Sequence, residues 1–261
     1  MTLYLSKIEV DFRTARRLEL WDDYNWHKAL WQAFPNQPDK RRDFLTRVDR
    51  QPEGEAFRAW LLSPEPPQPP AWGRWQFKPV ADSFLSHHRY FFSLRANPTK
   101  KIVDPAKPKV IRPDGKIHRN KNAMRVPLLQ HEELRDWLER KGREQGGFAL
   151  DESEVTGQPL VVTKEPRHRL RIEEVRGPGG AGPLVNTQPD VRLHSVLFEG
   201  VLVVTDREKF KGLFYGRTDP RSPGHIIRGI GSAKGFGFGL LVLDPRPVSQ
   251  LSMTNNQPTP T

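Results

Sequence analysis

An α+β fold built from two similar units is predicted by three features of the sequence. Runs of β-forming residues alternate with amphipathic helical segments, the length suits two modest domains, and a cationic, turn-rich stretch divides the chain near its middle. The chain has 261 residues, and domains usually hold about 100–200. Residues 3–10 open it as a strand rich in apolar and β-forming side chains. The charged run at 13–17 leads to a helix over 24–34, capped by Asp22 or Asp23 and stopped before Pro35. A basic segment at 40–50 and an apolar one at 56–62 follow, until the Pro-rich stretch 64–70 breaks the pattern. A second clear strand spans 90–94.

The sharpest change of composition falls at 100–125, where nine Lys or Arg stand against two Asp and Pro105, Pro108, Pro113 and Asp114 mark turns. It sets the expected organisation: a first domain over 1–100, a basic linker over 101–125, a second domain over 126–244 and a flexible tail over 245–261. In the second domain, Leu134, Trp137 and Leu138 recur at helical spacing over 132–141, and Gly142 ends the helix. Strands are expected at 148–155 and 159–163. Arg167, Arg169 and Arg171 then alternate, which sets three cations on one face of an extended segment. After a flexible or turn-like loop at 177–183 come a long strand over 191–205, a short helix started by Asp206, and a closing strand over 240–243. The order β-α-β-β-α-β thus recurs twice, which suits two tandem ferredoxin-like units, the architecture that also underlies RNA-recognition modules.

Charge narrows the function classes. The balance of 42 Lys+Arg against 31 Asp+Glu leaves a formal charge of +11, which favours polyanionic partners, nucleic acid ahead of an anionic membrane surface. No apolar run approaches the roughly 18 residues of a membrane span, and the first ten residues carry charges where a signal peptide needs its apolar core, so a cytoplasmic location is expected. The absence of cysteine excludes a thiol nucleophile, disulfides and cysteine-based zinc sites. No cofactor is called for, and no Asp/Glu cluster has the pattern of a two-metal site.

Three features carry chemistry. On the helix at 24–34, Trp26, Leu30, Ala33 and Phe34 share a face suited to burial, while Tyr24, His27 and Trp31 share another. Tyr24 and His27 can approach one phosphate together near the helix N-terminus, where the macrodipole favours an anion. The same spacing also suits a Tyr24 packed at the core edge and a half-exposed surface His27. The run at 229–239 places glycines at 229, 231, 235, 237 and 239 around Lys234, so that backbone amides could reach a phosphate. It lacks the Gly-Lys-Ser/Thr of a Walker loop and the third glycine of a dinucleotide-binding turn. Residues 234–238 match the start of an RNA-recognition signature, but only 22 residues follow Gly239, too few for the helix and strand that signature needs. A tight connection before the closing strand would use the same glycines. The basic segments are the third feature. Aromatic residues do not interleave with the cations at 100–125 and 167–171, which points to a structured duplex held by shape and backbone charge more than to a single-strand platform. A solvated charged surface has the same composition.

Taken in order, the opening at 3–10, the Tyr24-x-x-His27-x-x-Leu30-Trp31 helix followed by Phe34-Pro35 and Asp43-Phe44-Leu45, the segment 92–100, the run 196–204 and the glycine loop 229–241 resemble the CasE family of CRISPR repeat endoribonucleases over nearly the whole chain. The resemblance implies two ferredoxin-like domains whose cleft holds the base of a CRISPR repeat stem-loop, and an enzyme that keeps its product as a subunit of the Cascade complex beside other subunits. It carries His27 and Tyr24 onto the family's catalytic histidine and tyrosine, and Gly229, Gly231, Lys234 and Gly235 onto its signature loop. Lys28, Lys100, Lys101, Arg167 and Arg169 are expected on the RNA by charge. The stretch 215–226 stands ahead of the loop as an apparent insertion. In such an enzyme the 2′-hydroxyl attacks the adjacent phosphate, and histidine, with an ordinary pKa near 6.5, moves the proton at an advantage of roughly 10²–10⁴-fold. Which of Tyr24 and His27 gives and which takes the proton stays open, and a non-catalytic hairpin-binding scaffold is the alternative.

Overall fold

Alternation in the first strand sets the first sheet. Ser6, Ile8 and Val10 point inward from β1 (Tyr4–Asp11) and are fully buried, as period-two side chains on one sheet face must be. The computed structural model describes residues 2–35, 43–50, 56–103, 123–151, 159–165, 168–170, 191–219 and 222–245. The expected loop at 177–183 and the tail from 246 lie outside the described residues.

Two helices follow β1: α1 (Phe12–Arg17), capped by the Asp11 carboxylate, and α2 (Asp23–Trp31), capped by Asp22. The charged run at 13–17 is therefore itself helical. Next come β2 (Leu45–Arg50), β3 (Ala56–Ser63) and β4 (Arg74–Pro79), which join β1 in an antiparallel sheet of order β2-β3-β1-β4. This is the ferredoxin-like strand order. Between β3 and β4 the prolines at 64, 66, 67, 69 and 70 take the place of a second helix, since each lacks the N–H a helix needs. The basic segment at 40–50 ends as β2 because Leu45, Thr46 and Arg47 are buried beside β3.

The second unit repeats the order. It runs through β5 (Arg89–Ala96), the ribbon of β6 (Thr99–Val103) and β7 (Ala123–Pro127), α3 (His131–Lys141), β8 (Phe148–Leu150), β9 (Val161–Lys164), β10 (His168–Leu170), β11 (Val191–Leu193), β12 (Val196–Val204), α4 (Arg207–Tyr215), the hairpin β13 (Arg217–Asp219) and β14 (Ser222–Ile227), and β15 (Leu241–Asp244). Its sheet has the order β15-β5-β12-β8, with β9 also on β12. The strand expected to close the first domain thus opens the second: Tyr90, Phe92, Leu94 and Ala96 are buried against β12, and the sheets divide between β4 and β5 instead of at residue 100. The strand expected over 191–205 is broken at His194-Ser195, where Ser195 turns inward to Glu165. Of the stretch 215–226, Tyr215 ends α4, and the described residues at 217–219 and 222–226 lie in the paired strands β13 and β14.

The cores meet. Trp26, Leu30, Ala33 and Phe34 of the α2 segment pack with Ile8, Val10, Leu61 and Trp72 in the first. Leu3, Leu45 and Leu62, though hydrogen-bonded into the first sheet or beside it, pack with Leu94, Trp137, Phe198 and Leu240 of the second. No helix among the described residues is long and apolar enough to cross a membrane.

Candidate nucleic-acid interface and cleavage site

The glycine loop joins the units because two of its glycines admit a close backbone crossing. At Gly229, with φ of 67°, a Cβ would lie 2.5 Å from the Gly239 carbonyl oxygen and 2.8 Å from a Leu45 methyl. Gly239 is equally confined, and a Cβ there would meet the Ile230 carbonyl oxygen at 2.6 Å. Only hydrogen fits at either place. The Ile230 N–H donates to the Gly239 carbonyl at 2.9 Å, the Gly239 N–H to the Arg95 carbonyl at 2.8 Å, and the Gly229 N–H to the Leu213 carbonyl at 2.8 Å. These bonds close the base of the loop and fix it to β5 and α4. Its tip, with the turn Lys234–Phe236, rests on α2 and β2. A Cβ on Gly237 would stand 3.5 Å from an Asp23 carboxylate oxygen, so the loop touches the first turn of α2. Gly231, Lys234 and Gly235 are half-buried within this tip.

His27 sits beneath that contact. With the cap at Asp22, the first turn ends at Trp26 and His27 begins the second, just beyond the free N–H groups of the helix N-terminus near which it was expected. The Trp31 indole N–H donates to His27 Nε2 at 3.0 Å, which puts the proton of the neutral ring on Nδ1. The Phe44 ring lies 5.7 Å from the imidazole at 37°, and Trp31 meets it nearly edge-on at 84°. The imidazole is thereby held in one orientation, half-exposed. Tyr24 lies one turn earlier on the same helix; its side chain is outside the described residues. Lys28 is exposed on α2.

The other predicted cations lie apart from this centre to different degrees. β10, which contains Arg169, lies against α2 and pairs with β11, setting Arg169 opposite Arg192; the Arg169 side chain is outside the described residues, as is all of Arg167. Lys100 and Lys101 are exposed on the β6–β7 ribbon. The Lys100 ammonium bridges Glu133 of α3 at 2.6 Å and, through that hydrogen bond, holds the Glu133 carboxyl below its ordinary range.

Two arginines escaped the sequence reading. Arg95, with 12% of its side chain exposed, makes a paired hydrogen bond to Glu165, reaches the Val48 carbonyl, and lies 3.1 Å from Asp49. Burial opposes its charge, but the Glu165 hydrogen bond and the charges of Glu165, Asp49 and Asp23 outweigh that and raise its pKa. Arg228, immediately before the glycine loop, is buried and donates to the carbonyl and carboxylate of Asp43. Arg95 crosses between the units through Val48 and Asp49, and Arg228 through Asp43; the hydrogen bonds to Val48 and Asp43 join residues 47 and 185 apart, so no local pattern could announce them. Among the described residues no three His, Asp or Glu side chains converge as a metal site would require.

A family model described as CRISPR associated protein matches residues 3–245. The CRISPR system Cascade subunit CasE of Escherichia coli (strain K12) is 30% identical over 93% of this chain and 100% of its own length. The chain belongs to the CasE family of CRISPR-associated proteins. Another CasE-family relative, the CRISPR-associated endoribonuclease Cse3 of Thermus thermophilus, is 28% identical over 93% of this chain and 100% of its own. A solved structure of Thermus thermophilus Cse3 bound to an RNA representing a pre-cleavage complex matches with a TM-score of 0.63 at 25% identity, covering 94% of this chain and 100% of that one. The CasE-family fold of two tandem ferredoxin-like domains accords with the strand order found twice here.

Proposed function

We propose that this chain is a metal-independent endoribonuclease that cuts CRISPR precursor RNA at the repeat stem-loop and keeps the mature guide as a Cascade subunit. The observation that carries the reading is the seating of the glycine loop on the N-terminal turn of the helix that bears Tyr24 and His27. A phosphate drawn to the loop amides would lie beside that helix, within reach of its side chains. The relatives named as a Cascade subunit and as an endoribonuclease support the same reading.

In the reaction, the 2′-hydroxyl attacks the adjacent phosphorus in line, its proton is removed, and the departing 5′-oxygen receives a proton. The products are a 2′,3′-cyclic phosphate and a 5′-hydroxyl. His27 serves as the acid or base and Tyr24 positions or assists the nucleophile. Lys28, Lys234 and the amides at Gly231 and Gly235 stabilise the phosphoryl charge, while Gly229, whose amide is held by the Leu213 carbonyl, anchors the loop. Arg167, Arg169, Lys100 and Lys101 hold the RNA backbone. The unit ending at β4 supplies the chemistry and the unit after it supplies the loop.

One observation favours the alternative of a hairpin-binding scaffold: His27 Nε2 is engaged by Trp31, as in a structural histidine. A repeat RNA with a single 2′-deoxy nucleotide just 5′ of the scissile phosphate separates the readings. It should bind as tightly as the all-ribose RNA and stay intact, while the all-ribose RNA is cut in excess EDTA. His27→Ala should lose cleavage and keep hairpin affinity. Cutting of the deoxy substrate, or a requirement for magnesium, refutes the mechanism; intact ribose substrate with tight binding establishes the scaffold.

A further inference from the structure

Aromatic and cationic side chains do interleave at one place, the segment from α1 to the start of α2. Phe12 and Trp21 are 42% and 55% exposed, large fractions for side chains of this size, and their rings form an open tilted pair with centroids 5.7 Å apart. Arg13, Arg16 and Arg17 follow helical spacing i, i+3, i+4, so they share one side of α1, and all three are exposed while Ala15 faces the core. None of the three is ion-paired among the described residues, and the nearby Asp11 carboxylate is occupied in capping Thr14.

The platform is fastened to the proposed cleavage helix. Glu19 adopts a left-handed conformation, φ of 55°, unusual for its type. Its carbonyl accepts from the Trp21 N–H at 2.8 Å and from the Asn25 carboxamide at 2.8 Å. Asn25 lies next to Tyr24 on α2, and Trp21 directly precedes the Asp22 cap. An exposed indole is therefore held at the entrance to the helix that carries His27, and its ring partner Phe12 begins the helix that bears the three exposed arginines. Aromatic faces with adjacent cations are what an unstacked base and its phosphate require, whereas a duplex offers its bases no such access. An apolar protein partner would be repelled by three desolvated, unpaired arginines.

We propose that Phe12, Trp21 and the arginines of α1 form a stacking site for an unpaired nucleotide of the RNA strand that continues past the hairpin. The site rests on the ribonuclease reading only for the origin of that strand. It would set the strand's path past the scissile phosphate and select substrates with an unpaired flank.

Binding is compared for three RNAs: the repeat hairpin alone, the hairpin with short unpaired extensions and a 2′-deoxy nucleotide at the cut, and an unstructured oligouridine. Trp21→Ala should weaken the extended RNA and the oligouridine roughly tenfold and leave the bare hairpin unchanged, the loss of one stacked base. Trp21→Phe should restore most of the loss. Joint Arg16→Glu and Arg17→Glu should flatten the salt dependence of the extended RNA alone. Equal weakening of the bare hairpin, or no change with any RNA, overturns the site; in the second case, loss of co-purifying protein partners from Trp21→Ala marks the face as a protein contact instead. If the wild type binds no hairpin while oligouridine binding still depends on Trp21, the ribonuclease reading fails and the stacking site stands.

Discussion

Gly229→Ala tests whether the glycine loop is held by backbone crossing, as the geometry requires. The added methyl must occupy a left-handed residue, which costs about 1–2 kcal/mol for a side chain with a Cβ. It must also displace both the Gly239 carbonyl at 2.5 Å and the Leu45 methyl at 2.8 Å. Leu45 can rotate at its far end, but the Gly239 carbonyl is backbone and is already bonded to the Ile230 N–H. Overpacking of that kind costs about 1–3 kcal/mol. Together the change should destabilise by about 3 kcal/mol and lower the melting temperature by about 6–12 °C for a protein of this size. Because the loop tip rests on α2, cleavage should fall by more than the unfolded fraction explains. Thermal unfolding by circular dichroism and single-turnover cleavage well below the transition measure the two effects. Gly235→Ala, at a position without positive φ, is the control and should stay close to wild type in stability. A Gly229→Ala protein melting within about 2 °C of wild type would refute the crossing as the constraint.

Arg95→Leu should destabilise by about 3 kcal/mol, since it leaves Glu165 partly buried without its cation and Asp49 with Arg47 alone; urea unfolding checks this, and a double-mutant cycle with Glu165→Gln should show coupling between the two sites. Charge reversal at Arg169 should weaken hairpin binding and reduce the slope of affinity against salt by about one phosphate contact, and an unchanged slope moves the RNA path to another face. Glu9 is held down to about 2, first by its Lys7 hydrogen bond and then by Arg74. A depressed carboxylate contributes stability above its unfolded value that is lost as pH falls through the folded one, so Glu9→Gln should cost about 0.5–1 kcal/mol near neutral pH. That difference should vanish as pH falls from 4.5 to about 2, and a difference that persists at pH 2 assigns the effect to packing.

The parts of the fold written in local pattern were open to reading. The buried face of α2 follows from the spacing of Trp26, Leu30, Ala33 and Phe34, its cap from Asp22, and the α4 start from Asp206. β4 was missed because its inward alternation is weak, with exposed Arg74, Gln76 and Phe77 on a sheet edge. α1 reads as a connection in the sequence because three arginines in six residues hide a one-sided helix with Ala15 as its only buried residue. The membership of β5 could not be read, since its alternating pattern suits either sheet and only the match of Phe92 and Leu94 to β12 decides it. At the site, the helix and the glycine loop were both visible, but their contact was not: the tertiary crossing at Gly229 and Gly239 makes it. Trp31 was placed on the right face, yet its hydrogen bond to His27 depends on rotamers that spacing leaves undetermined.

Leu3, Leu45 and Leu62 belong to the N-terminal half by chain position and to the C-terminal half by packing. A chain severed between β4 and β5 would leave each fragment with a greasy scar where the other had been. The halves therefore repeat one outline without being portable: neither can be lifted out or exchanged for a foreign homologue unless the newcomer brings a matching apolar patch. Melting should accordingly be a single cooperative event across both halves.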